Sequence, residues 1–328
     1  MSNKNKYYKM KLKYIYTKKF IGGFLDTSTN INNINDSILI QIGKTKENLI
    51  DKINNIKKIF ADDLVGSNIL LLEYNNVIDS LIRVPFDKNN YNKKQEYFDK
   101  IYSNYNNLKI AVINSKNNLV KPHTLLSINK NENELIECIA IKDETVINKN
   151  SPGYLGNIGK VDKKIILNNE CKEIFDINNN SWCYFFVSLQ GELIKQIKEK
   201  MDTSSSLESI IKQILGLRYN WGPYKYVVVL TVKAKDLFRP CISNSVSTSI
   251  CDNIINIKEE TEYKKWYLNW LNQSHKLNIP FTGLGYTYDT SKKLPDVYGV
   301  SEYIIKPHSE ITIKHIYTLD EYINHIKS

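Results

Sequence analysis

Hydrophobic residues recur along the chain with two different periods. Residues 45–60 carry apolar side chains at helical spacing, which predicts an amphipathic helix. They are Leu49, Ile50, Ile53, Ile56 and Ile59. Short alternating or continuous apolar runs predict strands. The clearest of these runs are Ser37–Ile42, Asn68–Tyr74, Leu108–Asn114, Leu135–Ile141, Tyr224–Val232 and Ile311–Tyr317. We therefore expect an α+β fold, with a mostly antiparallel sheet and flanking helices in the C-terminal half.

One segment interrupts these patterns. Residues 148–160 contain Pro152 and the glycines Gly153, Gly156 and Gly159, and this composition is typical of a turn or linker. The chain has 328 residues, a length that suits two domains. We therefore predict an N-terminal α+β module at 1–148 and a C-terminal α+β module at 160–328.

The charge balance is basic, at +10 with 45 lysines and arginines. Arginine accounts for only three of these, Arg83, Arg218 and Arg239, and the lysines are interleaved with Asp and Glu. Phosphate and guanine recognition favours the arginine fork. The composition therefore disfavours a nucleic-acid partner, although a lysine-rich nucleic-acid binder is kept as a third hypothesis.

Cysteine usage and hydropathy give no sign of a metal site or a membrane span. The cysteines are Cys138, Cys171, Cys183, Cys241 and Cys251. They contain no CxxC pair, so we expect no bound metal. Cys241 and Cys251 could meet across a loop, but we expect them to be reduced. The longest apolar runs fall far short of the ~18 residues that suggest a membrane helix. The N-terminus lacks the apolar segment of a signal peptide, which predicts a cytoplasmic protein or one delivered into another cell without a classical signal.

The richest candidate motif lies in residues 281–317. A strand-like Phe-Thr-Gly-Leu-Gly-Tyr-Thr-Tyr leads into a polar loop, the loop ends at Glu302, and an apolar strand broken by Lys-Pro-His-Ser follows. Upstream, Ser247, Thr248 and Ser249 form a Ser-Thr-Ser, and Arg239 follows a strong strand. This arrangement resembles the catalytic domain of mono-ADP-ribosyltransferase toxins and effectors, in which a loop leads to a catalytic Glu at a strand start.

The resemblance implies roles for particular residues. Glu302 would stabilise the positive charge that develops as nicotinamide leaves NAD, and Ser247, Thr248 and Ser249 would brace its strand and orient it. Arg239, or alternatively Arg218, would hold the NAD phosphates. Tyr286 or Tyr288 would stack on the nicotinamide ring.

The resemblance also has implications for the substrate and for the roles of the two halves of the chain. It implies NAD as a substrate, an unknown macromolecular target, and an N-terminal half used for targeting or recognition. Val300 stands two positions before Glu302, where arginine-modifying members of the family carry Glu, and this argues against arginine as the modified residue. The alternative hypothesis is a non-enzymatic protein-interaction or structural protein in which Glu302 has no special role.

Overall fold

The structure is a computed structural model that describes residues 36–83, 86–167, 175, 184–201, 206–251 and 261–327. The chain divides into two compact units, Met1–Asn106 and Asn107–Ser328. All the strands among the described residues belong to the second unit.

The described part of the first unit is helical. It contains α1 (Asp36–Lys57), α2 (Leu64–Ile82) and the beginning of α3 (Lys88–Lys116). Leu49, Ile53 and Ile56 of α1 are buried as the periodicity predicted, whereas Ile50 is exposed. The side chain of Asp63 caps α2 by accepting a hydrogen bond from the Gly66 amide at 2.7 Å, as expected at a helix N-terminus.

Three of the expected strands are helical in the structure. Ser37–Ile42 lies in α1, Asn68–Tyr74 in α2 and Leu108–Asn114 in α3. Each is a short apolar run, and such a run is compatible with a buried strand or with one face of a longer helix. The polar residues that continue each pattern on either side favour the helix.

The second unit is built on strands with helices on one side. Its strands are β1 (Leu135–Lys142), β2 (Gly159–Ile166), β3 (Phe185–Leu189), β4 (Tyr226–Lys233), β5 (Leu237–Phe238), β6 (Tyr286–Tyr288), β7 (Tyr298–Ser301), β8 (Tyr303–Ile305) and β9 (Glu310–Thr318). Its later helices are α4 (Gln190–Lys200), α5 (Leu207–Leu215), α6 (Glu262–Lys276) and α7 (Leu319–Lys327).

Seven of these strands form one sheet in the order β2-β9-β4-β1-β3-β8-β5, and β6 pairs with β7 in a small second sheet. All strand pairings among the described residues are antiparallel. The expected α+β class with a mostly antiparallel sheet is therefore confirmed. The interior strand β4 carries four consecutive buried residues, 227–230, as a strand covered on both faces requires.

The unit boundary differs from the one expected near residue 150. Strand β1 pairs with β4 along its whole length, from Leu135 opposite Lys233 to Lys142 opposite Tyr226. Residues 135–142 therefore belong to the same sheet as the C-terminal strands, and the Gly- and Pro-containing segment 148–160 connects β1 to β2 within the second unit. Turns inside a sheet and linkers between domains share this composition, so composition alone could not separate them.

The two faces of the sheet bury different clusters. One face includes Cys138, Val187, Tyr303 and Ile305 in a large aliphatic core. On the other face, one cluster includes residues of α4, α5 and α7 together with Val300. A second, largely aromatic cluster includes residues of α6 together with Ile304.

A buried ion pair anchors the loop that joins β6 to β7. The Asp289 side chain is fully buried, and its oxygens lie 2.8 and 2.6 Å from Nζ of Lys200 at the end of α4. Asp289 also accepts hydrogen bonds from the amide and hydroxyl of Ser291. A buried carboxylate needs this pairing because desolvation disfavours its charge. The ion pair therefore fixes the start of the polar loop that leads to Glu302.

We predict that Lys200→Met lowers the free energy of unfolding by about 3 kcal/mol, because it leaves Asp289 charged and buried without its cation. Chemical denaturation at neutral pH measures the change. Lys198→Met on the same helix is the control, since Lys198 is exposed and its loss should cost less than about 0.5 kcal/mol. Equal stability of the two variants would contradict a structural role for this ion pair.

Candidate functional site

Glu302 lies at the junction between β7 and β8. Its amide donates a hydrogen bond to the Gly285 carbonyl at 2.9 Å. Side chains alternate along a strand, and Tyr303 and Ile305 belong to the aliphatic face while Val300 and Ile304 pack with helices. The alternation places Glu302 on the helix side of the sheet, between the Val300 cluster and the Ile304 cluster.

The Glu302 carboxyl has no hydrogen bond or ion pair with any residue that the structure describes. It is half-buried, and burial raises its pKa to about 8, because desolvation disfavours the charged form. A half-buried carboxyl without a cation or donor is costly to ionise, and groups of this kind concentrate at functional sites.

Aromatic rings lie on the same side of the sheet as Glu302. Phe186 of β3 is the cross-strand partner of Ile304, and its ring centroid lies 5.6 Å from that of Trp270 of α6. Both residues are half-buried, and the Trp270 ring also stacks on Trp266. The helix side of the sheet therefore carries partly accessible aromatic residues as well as the acid, and such residues can bind a flat cationic ring.

Arg239 is the most heavily bonded side chain near the site, and it is fully buried. Its guanidinium donates to the carbonyls of Leu126, Ser245, Val246, Thr248 and Gly285 and to the Tyr303 hydroxyl, at 2.7 to 3.4 Å. Its Cζ also lies 4.8 Å from the centre of the Tyr303 ring. With its donors engaged and no exposed surface, Arg239 has nothing to offer an NAD phosphate in this structure. Its role is to hold backbone segments together.

Gly285 makes this arrangement possible. Its φ is +74°, and a Cβ there would lie 2.6 Å from Cδ of Arg239 and 3.2 Å from Sγ of Cys251. Only glycine adopts this backbone conformation readily while leaving that space. The Gly285 carbonyl accepts hydrogen bonds from the Arg239 guanidinium and from the Glu302 amide. It therefore links Arg239 to the backbone of Glu302.

The Ser-Thr-Ser segment lies beside Arg239 but does not orient Glu302. The Ser247 hydroxyl bonds the Ser245 hydroxyl at 2.8 Å, and the Thr248 hydroxyl donates to the Ser245 carbonyl at 3.1 Å. The Ser249 carbonyl accepts from the Leu125 amide at 2.8 Å. Within the described part of the chain, none of the three hydroxyls bonds Glu302. The segment contacts Arg239 through the Thr248 backbone carbonyl.

The other predicted cofactor-binding residues have structural partners. Tyr286 is buried, and its hydroxyl donates to the Lys121 carbonyl at 2.6 Å. Tyr288 is buried, and its hydroxyl accepts from Asn114 Nδ2 at 2.8 Å. Arg218 is buried and donates to the carbonyl of Leu277, which caps the C-terminus of α6, at 3.0 Å. Neither tyrosine presents a free ring face to a ligand, and Arg218 stabilises a helix end.

Sequence reasoning missed a second acid, Glu192, in the first turn of α4. Its carboxylate accepts hydrogen bonds from the Ser301 amide at 2.9 Å, the Ser301 hydroxyl at 3.3 Å and the Tyr298 hydroxyl. An acid in the first turn of a helix is ordinary, and its partners lie more than a hundred residues away in sequence. No local pattern could have identified this contact.

Cys241 and Cys251 form a disulfide, which corrects the expectation that both are reduced. The disulfide closes the loop that supplies three of the carbonyls bonded by Arg239. The described residues contain no group of three or more His, Cys, Asp or Glu side chains arranged to hold a metal ion. No helix in the described part of the chain combines the length and apolar character needed to cross a membrane.

Comparisons with known proteins give no match: no family model, no curated protein and no solved structure resembles this chain closely enough to be matched to it.

We predict that Arg239→Lys lowers the free energy of unfolding by at least about 3 kcal/mol, because a single ammonium cannot satisfy carbonyls on several segments and buried unpaired acceptors are costly. Urea denaturation followed by circular dichroism measures the loss. Lys235→Met is the control, as Lys235 is exposed. A loss within about 1 kcal/mol of the control would contradict a central structural role for Arg239.

Proposed function

We propose that the protein is an NAD-dependent enzyme of the mono-ADP-ribosyltransferase type in which Glu302 is the catalytic residue. The observation that carries the proposal is the Glu302 carboxyl itself. It is half-buried, has no partner among the described residues, and its pKa is raised to about 8 by burial. It also occupies the strand-start position to which the sequence resemblance assigns the catalytic acid.

The reaction breaks the glycosidic bond between ribose C1′ of NAD and the nicotinamide nitrogen. The electron pair of that bond leaves with nicotinamide, and positive charge develops on the ribose. An oxygen, nitrogen or sulfur nucleophile of a target, or water, forms the new bond to C1′ and gives up its proton to solvent. A carboxylate beside the developing charge lowers the barrier because it stabilises the transition state more than the ground state.

The raised pKa of Glu302 suits a cationic substrate. An isolated carboxylate in a half-buried site is poorly solvated, so it gains more from a nearby positive charge than an exposed carboxylate would. The nicotinamide ring of NAD carries such a charge. Its binding should therefore lower the pKa of Glu302 and ionise it where the reaction needs an anion.

The structure supports a different assignment of the supporting roles from the one expected. Arg239 serves as a scaffold, because its guanidinium is fully buried. Phe186 and Trp270 replace Tyr286 and Tyr288 as candidates for stacking on a flat ring, because they are half-buried on the Glu302 side of the sheet. The target of the transfer is a macromolecule whose chemistry the site does not specify.

We predict that Glu302→Gln lowers kcat for NAD hydrolysis by about 10²–10³-fold, the loss typical of removing one electrostatic group from a transition state. Release of nicotinamide from NAD, followed by chromatography, measures turnover. Glu310→Gln is the matched control, since Glu310 is an exposed acid of the strand β9. Turnover that is absent in wild type, or equal in wild type and Glu302→Gln, would overturn the proposal.

The pKa of Glu302 also predicts how activity depends on pH. Because the ionised form is required and the pKa in the free protein is about 8, kcat/KM should rise from about pH 6 to about pH 9 with a midpoint near that value. Initial rates at low NAD concentration across this range give the profile. A kcat/KM that is flat across the same range would contradict the assignment.

Stability offers a separate test of the same group. The pKa of Glu302 is about 8 in the folded protein and 4.5 in the unfolded chain. The stabilising effect of protonated Glu302 is therefore complete below pH 4.5 and is lost as the pH rises toward about 8. We predict that the stability of wild type relative to Glu302→Gln falls between about pH 5 and pH 8 and is constant above about pH 9. Urea denaturation at several pH values measures this difference, and a difference independent of pH would exclude the raised pKa.

A further inference from the structure

The residue before Glu302 is held by an acid from another element. Ser301 is fully buried, and both its amide and its hydroxyl donate to the carboxylate of Glu192, at 2.9 and 3.3 Å. The Tyr298 hydroxyl donates to the same carboxylate. The Leu126 amide donates to the Ser301 hydroxyl at 2.9 Å, so the polar groups of the Ser301 side chain and amide are satisfied.

The amide of Glu302 is held separately. It donates to the Gly285 carbonyl at 2.9 Å, and that carbonyl also accepts from Arg239 at 3.4 Å. The two successive amides, of Ser301 and Glu302, are thus bonded to Glu192 and to Gly285. This pair of restraints fixes the backbone from which the Glu302 side chain projects.

We propose that Glu192 is a positioning residue, which holds the Ser301–Glu302 backbone so that the Glu302 carboxyl keeps one position. Its effect on catalysis rests on the proposed function, whereas the restraint on the backbone does not. Positioning matters for rate because a displacement of about 1 Å can cost about 10²-fold in turnover.

A carboxylate is suited to this place by its hydrogen-bonding capacity. Three donors converge on Glu192, and an ionised carboxylate offers only acceptors. Glutamine has nearly the same shape, but its NH2 group would face either the Ser301 amide, which cannot accept a hydrogen bond, or the two hydroxyls, which would then lose the acceptor for their protons. Glu192→Gln therefore weakens the restraint with little change in volume.

The helix itself has other anchors. Leu193 and Ile197 of α4 are buried in the apolar cluster that also contains Val300. Loss of the Glu192 carboxylate should therefore leave α4 packed, so that a local effect on Ser301 can be told from general unfolding.

The experiment compares wild type, Glu192→Gln, Tyr298→Phe and the control Glu199→Gln, whose side chain is exposed on the same helix. Two quantities are measured: kcat and KM for NAD hydrolysis, and hydrogen exchange of backbone amides by NMR. We expect Glu192→Gln to lower kcat at least ten-fold with KM changed less than three-fold. We also expect exchange at Ser301 to accelerate at least ten-fold, with exchange in β4 unchanged. Tyr298→Phe should be intermediate, because it removes the hydroxyl that bonds both Glu192 and the Ser301 hydroxyl but leaves the Ser301 amide bonded to Glu192.

Unchanged kcat and unchanged Ser301 exchange in Glu192→Gln would overturn the inference. Faster exchange throughout β4, with kcat falling only in proportion to the folded fraction, would also overturn it, since that result indicates a general structural role. Absence of NAD turnover in wild type would overturn the proposed function instead. In that case, faster hydrogen exchange at Ser301 in Glu192→Gln would still support the restraint that Glu192 places on the backbone. Unchanged exchange at Ser301 would overturn that restraint as well.

Discussion

The buried guanidinium of Arg239 is the interaction on which the arrangement of the candidate site depends. It joins the segment around Leu126, the loop closed by the Cys241–Cys251 disulfide, and Gly285. Buried carbonyls of all three segments face the Arg239 guanidinium. This planar cation has N–H donors in a fixed geometry, and it donates hydrogen bonds to carbonyls of each segment. Burying a charge is costly unless such partners are present. The convergence of carbonyls and the arginine therefore require one another.

The position of Glu302 depends on this arrangement. Gly285 bonds Arg239 and the Glu302 amide through one carbonyl, and Glu192 holds the amide of Ser301. With its backbone fixed on both sides, Glu302 projects toward the helix side of the sheet, where it has no partner among the described residues. The polar groups near it are satisfied by one another, and the Glu302 carboxyl is left available. That availability distinguishes it from Asp289, a buried acid whose charge is matched by Lys200.

Local pattern was sufficient for part of this structure. The strands β4 and β9 and the strand start at Glu302 could be predicted, because alternation and continuous apolar runs act over a few neighbours. The helices that contain Ser37–Ile42 and Asn68–Tyr74 could not, because a short apolar run fits a strand as well as one face of a helix. The unit boundary was misplaced because the turn between β1 and β2 has the composition of a linker.

The roles of the site residues depended on contacts that are distant in sequence. The acceptors of Arg239 range from Leu126 to Tyr303, and only the folded chain brings them to one guanidinium. Glu192 carried no signal because its partners are at Tyr298 and Ser301. Tyr286 and Tyr288 have rings of a kind that can stack on a ligand, but both are buried, and burial depends on contacts that a local pattern does not show.

We propose that the Glu302 carboxyl is available to bind a cationic substrate, and that burial and the bound cation together set its ionisation. Its pKa can be measured directly by NMR, from the carboxyl carbon of ¹³C-labelled glutamate assigned with Glu302→Gln, with and without NAD. We expect titration near pH 8 in the free protein and a lower midpoint when NAD is bound. Titration near 4.5, the ordinary value for glutamate, with no change on adding NAD, would contradict it.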